Sequence, residues 1–120
     1  LPERDVFGYF FIAATAGHDT TSYAISGGLH ALLEHPAELA KLRANPALLH
    51  TAIEEILRWT TPVKHFCRTA AQDCEVAGKQ IKKGDIILLS YPSANRDEGS
   101  FEAPFAFRVD RRANIWPGWN

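Results

Sequence analysis

Apolar and small residues recur at steps of three and four along the amino-terminal part of the chain. The positions are Phe10, Ala13, Gly17, Thr20, Ala24, Gly27 and Ala31. This spacing places them on one face of a helix, which we predict over residues 4–34. Apart from Phe10 the face consists of small side chains, although each interior glycine costs roughly 0.5–1 kcal/mol relative to alanine. Another object can therefore approach the backbone of this helix closely.

Two shorter helices are predicted next, over residues 36–44 and 46–60. Each begins with a proline, which is favoured at the first helical position, and Asn45 is placed to cap the second of them. The apolar stripe of that helix consists of Leu48, Leu49, Ala52, Ile53 and Ile56. Glu55 lies at the edge of the stripe, whereas Glu54 points away from it. Pro62 prevents the helix from continuing much further.

The pattern changes beyond Pro62 to short, β-prone runs. "HFCRTA" and "CEVAG" predict strands, "KKGD" predicts a turn, and "IILLSY" predicts a buried strand because it is rich in β-branched and apolar residues. Residues 92–112 are polar and aromatic, which predicts coil with one helical turn. A coil of this length in a compact domain usually indicates function or a missing partner element.

Composition and charge narrow the class of protein. The chain has 120 residues, of which 46% are hydrophobic and 22% charged, with a formal net charge of -1. This is ordinary globular composition, and it gives no reason to expect nucleic acid or an anionic membrane as a partner. Residues 10–14 form the longest apolar run, too short to span a bilayer. We therefore expect a cytoplasmic protein. Cys67 and Cys74 fit no metal-binding spacing and are interpreted as reduced thiols, with a disulfide across a hairpin as the alternative.

Asp19 and Thr20 are the first candidates for chemistry. A threonine within a helix can donate a hydrogen bond to the carbonyl four residues earlier. Beside Gly17, the Thr20 hydroxyl could instead turn outward and leave a local opening in the helix. A free hydroxyl next to a carboxylate could then deliver protons to a ligand on the small-residue face. A solvent-facing Asp-Thr pair on an ordinary helix is the alternative.

Glu55 and Arg58 form the second candidate group. They are three residues apart, so their side chains can meet on one helix face. A partly buried Glu55 would need more donors than one arginine supplies, and Arg111 in the coil is a candidate second donor. On spacing alone, a surface ion pair remains the alternative.

Other charged residues support weaker hypotheses. His18 and Asp19 are adjacent, as are ligands in some metal-dependent phosphohydrolases, but the remaining histidines have no partner at ligand spacing. The lysines near the predicted turn indicate a solvated face; they are Lys79, Lys82 and Lys83.

Four of these segments occur together in one order, and in that order the chain resembles the second half of a bacterial cytochrome P-450, a haem-thiolate monooxygenase. "AGHDTTS" is similar to the signature of the long distal helix of that family. "EILR" matches its Glu-x-x-Arg motif, and "RTA…EVAGKQIKKGDIILLSYPSANRDE…F" matches the strands and loop that follow. "FRVDR" places Arg111 where the family has the third member of its Glu-Arg-Arg network.

The resemblance implies a mainly α fold with a small β region. The chain would be a fragment from the C-terminal half of the cytochrome P-450 fold. It would comprise the long distal helix, two following helices, a short β-sheet segment and coil. Residues 1–114 would form part of the catalytic domain, whereas residues 115–120 are atypical of the family.

The family's activity is implied as well. Haem b would lie against the small-residue face, with room left over its distal side by Ala16 and Gly17. Thr20 would hydrogen-bond dioxygen bound there, and Asp19 would help to relay protons to it. Arg68 would pair with a haem propionate, an anion that suits a guanidinium. Electrons would come from NAD(P)H through a ferredoxin reductase and a ferredoxin. Glu55, Arg58 and Arg111 would be structural.

The resemblance further implies a pocket for a small apolar substrate. Two segments would line it, residues 11–16 and residues 63–67, and the side chains that we single out are Phe11, Ala13, Val63 and Phe66. The motifs are most similar to the branch of the family that hydroxylates terpenoid alcohols and related cyclic hydrocarbons.

One departure from the family limits these expectations. The iron ligand of the family is a cysteine in a Phe-Gly-x-Gly loop, and neither Cys67 nor Cys74 occupies that position. The 120-residue chain alone is therefore expected to be inactive. Two other classes remain as alternatives: a metal-dependent His-Asp phosphohydrolase and a non-catalytic helical binding module.

Overall fold

The computed structural model describes residues 2–111 of the chain. Its elements are, in order, α1 (Glu3–Glu34), α2 (Pro36–Ala44), a 3-10 turn (Pro46–Leu48), α3 (Leu49–Thr60), β1 (His65–Thr69), β2 (Cys74–Val76), β3 (Lys79–Ile81), β4 (Ile86–Ser90) and α4 (Tyr91–Ala94). This order confirms the prediction of a mainly α fold with a small β region. The predicted domain end at residue 114 and the atypical residues 115–120 lie outside the described residues.

The helix boundaries follow the predicted signals with one difference. Pro36 begins α2, and the Asn45 side chain accepts a hydrogen bond of 3.3 Å from the backbone N–H of Ala47. The predicted helix over residues 46–60, however, begins with a 3-10 turn, and its α-helical part starts at Leu49. The reason is local: the N–H of Leu48 donates to the Asn45 carbonyl three residues back, as is common in the first turn of a helix.

The buried core lies where the carboxyl half of α1 meets α3 and the segment that ends at Arg111. Its members are Ala31, Ala52, Phe107 and Val109, with Leu32, Leu42, Leu48, Ile56 and Trp59 packed around them. The ring of His35, which follows α1, lies 5.7 Å from that of Trp59 and 5.3 Å from that of Phe107. The end of the long helix is thereby joined to both other parts of the core.

The small residues of α1 serve two different purposes. A Cβ atom on Gly27 would lie 2.8 Å from Thr60 Cγ2, and one on Gly28 would lie 2.6 Å from Ile56 Cγ2. α3 therefore packs directly on the α1 backbone at these two glycines, which leaves no room for a side chain there. A Cβ atom on Gly17 would meet nothing within 4 Å. α3 therefore covers the carboxyl half of the small-residue face, and the backbone around Gly17 stays open.

The amino half of α1 carries exposed aromatic residues. Phe7, Tyr9, Phe10 and Phe11 are all exposed, and the rings of Phe7 and Phe11 stack with their centroids 6.5 Å apart. Within residues 2–111 no helix has the length and apolarity that crossing a membrane requires.

The strands form two antiparallel pairs. β1 pairs with β4 in a register that runs from His65 opposite Ser90 to Thr69 opposite Ile86. β2 and β3 form a hairpin whose two turn residues, Ala77 and Gly78, have φ values of 48° and 76°. Positive φ at both positions is typical of a type I′ turn. The predictions of strands in "HFCRTA", "CEVAG" and "IILLSY" are confirmed.

Two details of this region differ from the sequence interpretation. β3 was not predicted, because its lysine and glutamine have low β-propensity and only the hairpin pairing orders them. β4 was predicted to be buried, yet only Ile87 is even half-buried and Leu88 is 59% exposed. An apolar strand favours burial against another surface. Within residues 2–111, however, β4 is paired only with β1, which leaves both of its faces open.

The lysines near the turn lie on an exposed surface, as predicted. The carboxylate of Asp73 accepts hydrogen bonds from the backbone N–H of Lys83 at 2.8 Å and from Lys82 Nζ at 3.0 Å. These two bonds, the backbone bond foremost, hold the pKa of Asp73 below its ordinary value. Asp73 therefore orders the loop between β3 and β4.

Candidate functional site

An open, mainly apolar cavity of about 760 Å³ lies between α1, α3, the turn that follows α3 and the start of α4. Its walls comprise Thr20, Thr21, Ala24, Ile25, Leu29 and Leu32 of α1, Ile53, Ile56 and Leu57 of α3, and Thr61, Pro62, Val63, Tyr91 and Asn95. A few polar groups among apolar walls are typical of sites for small apolar ligands.

Thr20 brings a hydroxyl to this wall. Its Oγ1 donates a hydrogen bond of 2.6 Å to the carbonyl of Ala16, one turn earlier, and α1 continues through this point without interruption. The local opening of the helix, one of two geometries expected from the sequence, is therefore not present. The back-bonded geometry leaves the lone pairs of the hydroxyl oxygen free to accept a further hydrogen bond.

Asp19 lies beside Thr20 in the chain but on the outer surface of α1. Its side chain is 91% exposed, and its Oδ1 lies 2.8 Å from Nδ1 of His18. Among residues 2–111 no cluster of three or more potential metal ligands forms. Nothing in the described part of the chain therefore favours the metal-dependent phosphohydrolase.

Ala16 and Gly17 form the open part of the small-residue face. Both are exposed, and the space outside Gly17 is clear to at least 4 Å from an added Cβ atom. This stretch of α1 can receive a flat, bulky group, whereas the stretch at Gly27 and Gly28 cannot because α3 is already there.

The predicted pocket residues separate in the structure. Val63 lines the cavity, but Phe11, Ala13 and Phe66 do not. Phe11 and Ala13 lie on the exposed amino half of α1, and the Phe66 ring packs edge-on against that of Tyr91 at 6.0 Å. Instead, the α1 residues that line the cavity begin at Thr20, one helical turn beyond the predicted segment that ends at Ala16, in the part of α1 on which α3 packs.

Arg68 lies on β1, exposed, on the same strand face as Phe66. Its Nη1 donates to the carbonyl of Cys67 at 2.9 Å, and its guanidinium lies 5.9 Å from the centre of the Phe66 ring. The remaining donors face outward and can bind a carboxylate. Cys67 and Cys74 are both free thiols, as predicted, and they lie on different sheets.

Glu55 is the centre of a buried ionic network. Its side chain is wholly enclosed, and both of its oxygens are occupied. Arg58 donates to it in a bidentate manner at 2.7 and 2.8 Å, Arg111 Nε donates at 2.8 Å, and the backbone N–H of Arg108 donates at 2.9 Å. The alternative of a surface ion pair is therefore wrong, and Arg111 is the second donor that the sequence suggested.

The two guanidinium groups also hold the irregular segment in place. Arg58 donates to the carbonyls of Asn95, Pro104 and Ala106. Arg111 donates to the carbonyls of Glu102, Ala103 and Ala106. Because guanidinium donors satisfy carbonyls that no helix or strand satisfies, this network replaces regular secondary structure between residues 95 and 111.

Sequence reasoning missed three residues near the site. Arg96 and Asn95 bind the carboxyl end of α3, and Glu38 Oε2 accepts the backbone N–H of Val109 at 2.9 Å. Glu38 also raises the pKa of Lys41 by a hydrogen bond of 2.7 Å. The bonds of Arg96, Asn95 and Val109 have no periodic signal, since each links positions more than thirty residues apart. The Glu38–Lys41 pair does have one, because the two residues are three apart on α2.

Comparison with known proteins places this geometry in a family. The model of the family "Cytochrome P450" matches residues 4–113. The chain is 46% identical over 121 aligned positions to cytochrome P450-terp of a Pseudomonas species, covering 99% of this chain and 28% of that protein. It is also 46% identical over 118 positions to the steroid C26-monooxygenase of Mycobacterium tuberculosis H37Rv, covering 96% of this chain and 26% of that protein.

A solved structure gives the same result. CYP109E1 from Bacillus megaterium in complex with corticosterone superimposes with a TM-score of 0.91 at 34% sequence identity, over 96% of this chain and 31% of that one. The chain thus spans between about a quarter and a third of the length of these relatives. With the family model matching most of its length, the chain belongs to the cytochrome P450 family.

Proposed function

We propose that this chain forms the distal wall and the buried structural network of a cytoplasmic monooxygenase that inserts one oxygen atom from O2 into a small apolar substrate. A terpenoid alcohol or related cyclic hydrocarbon is the proposed substrate class. The 46% identity to cytochrome P450-terp and the apolar walls of the cavity support this class. Electrons would come from NAD(P)H through a ferredoxin reductase and a ferredoxin.

The residues present fit haem b as the cofactor. The open stretch of α1 at Ala16 and Gly17 accepts a flat group, since a Cβ atom on Gly17 would meet nothing within 4 Å. The outward donors of Arg68 suit the carboxylate of a propionate. When bound, haem supplies the activation of dioxygen and the oxidation of the substrate C–H bond. We propose that Ala16, Gly17 and Arg68 hold it.

Thr20 and Asp19 are proposed to move protons. The Thr20 hydroxyl rests on the Ala16 carbonyl, and a rotation about its χ1 angle turns the same proton toward the cavity. The Asp19 carboxylate is exposed to solvent and bonded to His18, so it can exchange protons with water. Thr20 would then donate a proton at the cavity wall, and Asp19 would replace it.

The position of Thr20 is the single observation that carries this proposal. Its hydroxyl-bearing side chain lies on the cavity wall and one turn from the open backbone at Gly17, so a substrate and a flat cofactor can both reach it. Glu55, Arg58 and Arg111 take no part in proton transfer in this proposal. They are buried and fully paired, and they fix α3 against residues 102–111.

The test is a Thr20→Ala variant in a haem-loaded enzyme that carries this segment. Product formation is expected to fall by roughly 100-fold, the lower range for loss of a general acid, while NAD(P)H oxidation continues and hydrogen peroxide accumulates. Ser26→Ala is the matched control, because Ser26 makes the same bond to the carbonyl four residues back, 2.9 Å, at an exposed position away from the cavity. Unchanged coupling of oxygen use to product in Thr20→Ala would refute the proton-donor role.

We further propose that the 120-residue chain alone is inactive. Neither Cys67 nor Cys74 lies in the Phe-Gly-x-Gly context of the iron ligand in this family. The chain mixed with haem, reduced and exposed to carbon monoxide should therefore lack the red-shifted absorption band that thiolate-ligated haem gives. Appearance of that band would contradict the proposal.

A further inference from the structure

The carboxyl end of α3 is held by a guanidinium from the segment after α4. Arg96 Nη1 donates to the carbonyl of Arg58 at 3.1 Å, and its Nη2 donates to the carbonyl of Trp59 at 3.0 Å. The guanidinium also lies 4.5 Å from the centre of the Trp59 ring. The last carbonyls of a helix have no partner within the helix and carry partial negative charge, so a cation suits this position.

Arg96 stays in this place despite an unfavourable electrostatic setting. Burial, and next the like charge of Arg58, lower the pKa of Arg96, whereas the attraction from Glu55 raises it. The bonds to the Arg58 and Trp59 carbonyls, a longer bond of 3.4 Å from Nη1 to the Asn95 carbonyl and the Trp59 ring are the contacts that compensate for these effects. The geometry is a fork, with each arm on a different carbonyl, which a lysine ammonium cannot reproduce.

Asn95, the residue before Arg96, contacts Thr61, the residue that follows α3. Thr61, which ends α3, has a φ of 46°, a left-handed conformation that β-branched residues rarely adopt. The Thr61 hydroxyl donates to the Arg58 carbonyl at 2.9 Å and accepts a hydrogen bond of 3.0 Å from Asn95 Nδ2. Two consecutive side chains, Asn95 and Arg96, therefore hold the turn that leaves α3.

That turn is a wall of the cavity. Thr61, Pro62 and Val63 line it, and so does Asn95 itself. Thr61 has an unfavourable backbone conformation. The direction in which the chain leaves Thr61 determines where Pro62 and Val63 lie relative to Thr20 across the cavity. We propose that Asn95 and Arg96 are positioning residues, which fix the Thr61–Val63 wall and thereby select apolar ligands by size. The proposal rests on this cavity being the substrate site of the proposed function.

The experiment uses the 120-residue chain and two measurements. Amide hydrogen exchange, followed by NMR, reports whether the last turn of α3 is held. Binding of two apolar probes, 4-methylcyclohexanol and the larger 4-tert-butylcyclohexanol, is followed by chemical-shift changes at Thr61 and Val63. The variants are Arg96→Gln, Arg96→Lys and Asn95→Ala. Arg43→Gln is the matched control, because Arg43 is exposed at the end of α2 and away from the cavity.

Arg96→Gln should speed exchange of the amides at residues 58–61 by about 10- to 100-fold, the range expected for loss of hydrogen bonds from a charged donor. It should also change the ratio of the two dissociation constants by about tenfold, in favour of 4-tert-butylcyclohexanol. Arg96→Lys should restore part of the protection. Asn95→Ala removes a single neutral bond, so it keeps the fold and should shift the ratio in the same direction by a smaller factor.

Several results would overturn the positioning role of Asn95 and Arg96. Faster exchange with an unchanged ratio of the two constants would overturn the proposal and leave Arg96 a merely structural residue. Unchanged exchange in Arg96→Gln, or equal effects in Arg43→Gln, would overturn it too. Failure of both probes to bind the unsubstituted chain would overturn the cavity as the substrate site and this proposal with it. The assignment of Thr20 as proton donor is judged separately, by the coupling measurement.

Discussion

Replacing Glu55 with glutamine removes one charge from a buried cluster and keeps its shape. The carboxylate is enclosed and accepts four hydrogen bonds, two from Arg58 and one each from Arg111 and the Arg108 backbone. In Glu55→Gln, one oxygen becomes an NH2 group that faces other donors, and the two buried guanidinium groups of Arg58 and Arg111 lose the carboxylate that they share.

The loss of stability in Glu55→Gln depends on which hydrogen bonds the two arginines keep. Hydrogen bonds to charged groups contribute about 1.5–3 kcal/mol each, so adding all four would overestimate the loss. Arg58 and Arg111 keep their bonds to backbone carbonyls in the variant. The expected cost is therefore that of breaking a buried ion pair from one side, about 3–5 kcal/mol. That is a large part of the 5–15 kcal/mol by which typical domains are stable.

Urea denaturation followed by tryptophan fluorescence measures this cost, because Trp59 packs within the same region. Glu54→Gln is the matched control: the same substitution at the neighbouring position, where the side chain is exposed, should change the free energy of unfolding by at most about 0.5 kcal/mol. If the free energies of unfolding of Glu55→Gln and Glu54→Gln differed by less than about 0.5 kcal/mol, the reasoning that the buried network stabilises the fold would be refuted.

Two further predictions concern packing and pH. Gly28→Ala should destabilise the chain by about 1–3 kcal/mol, since the new Cβ atom would lie 2.6 Å from Ile56 Cγ2 on a stiff, β-branched side chain. Gly17→Ala should instead stabilise the chain by about 0.5–1 kcal/mol, because the space around Gly17 is open. Equal denaturation midpoints for the two variants would contradict this prediction. The lowered pKa of Asp73 means that its contribution to stability is fully present above the pKa of about 3.9 for unfolded aspartate and is lost as pH falls through the lower folded value. The amide proton shift of Lys83 should accordingly titrate below that value, and a midpoint at or above it would show that the bond to Asp73 is not made in solution.

Sequence alone predicted what local rules determine. Proline and asparagine signals located the starts of α2 and of the helical segment at residue 46, and the three-residue spacing paired Glu55 with Arg58. Burial of a strand is not such a local property: β4 has a core-like composition, and the surface that would cover it cannot be read from its own five residues.

The candidate site shows the same limit more sharply. Thr20 was found because a hydroxyl in a small-residue helix is unusual, but its hydrogen bond to Ala16 is a choice between two rotamers that spacing cannot decide. Arg96 carried no signal at all, because its partners are backbone carbonyls 37 and 38 residues away and any residue type could supply them. Arg111 was named as a candidate second donor because a buried carboxylate needs one, but only the resemblance matched it to a network position, since 56 residues separate it from Glu55.

That separation affects how the protein is made. At about 5–20 residues per second, a ribosome needs roughly 3–11 s to synthesise the stretch between the two residues. During this interval the nascent chain already contains Glu55 and Arg58, yet it lacks the second cation and the backbone that complete their enclosure. Docking of α3 before Arg111 emerges would bury a carboxylate with a single partner, which is unfavourable. The network thus delays closure of the core until residues 102–111 have been synthesised.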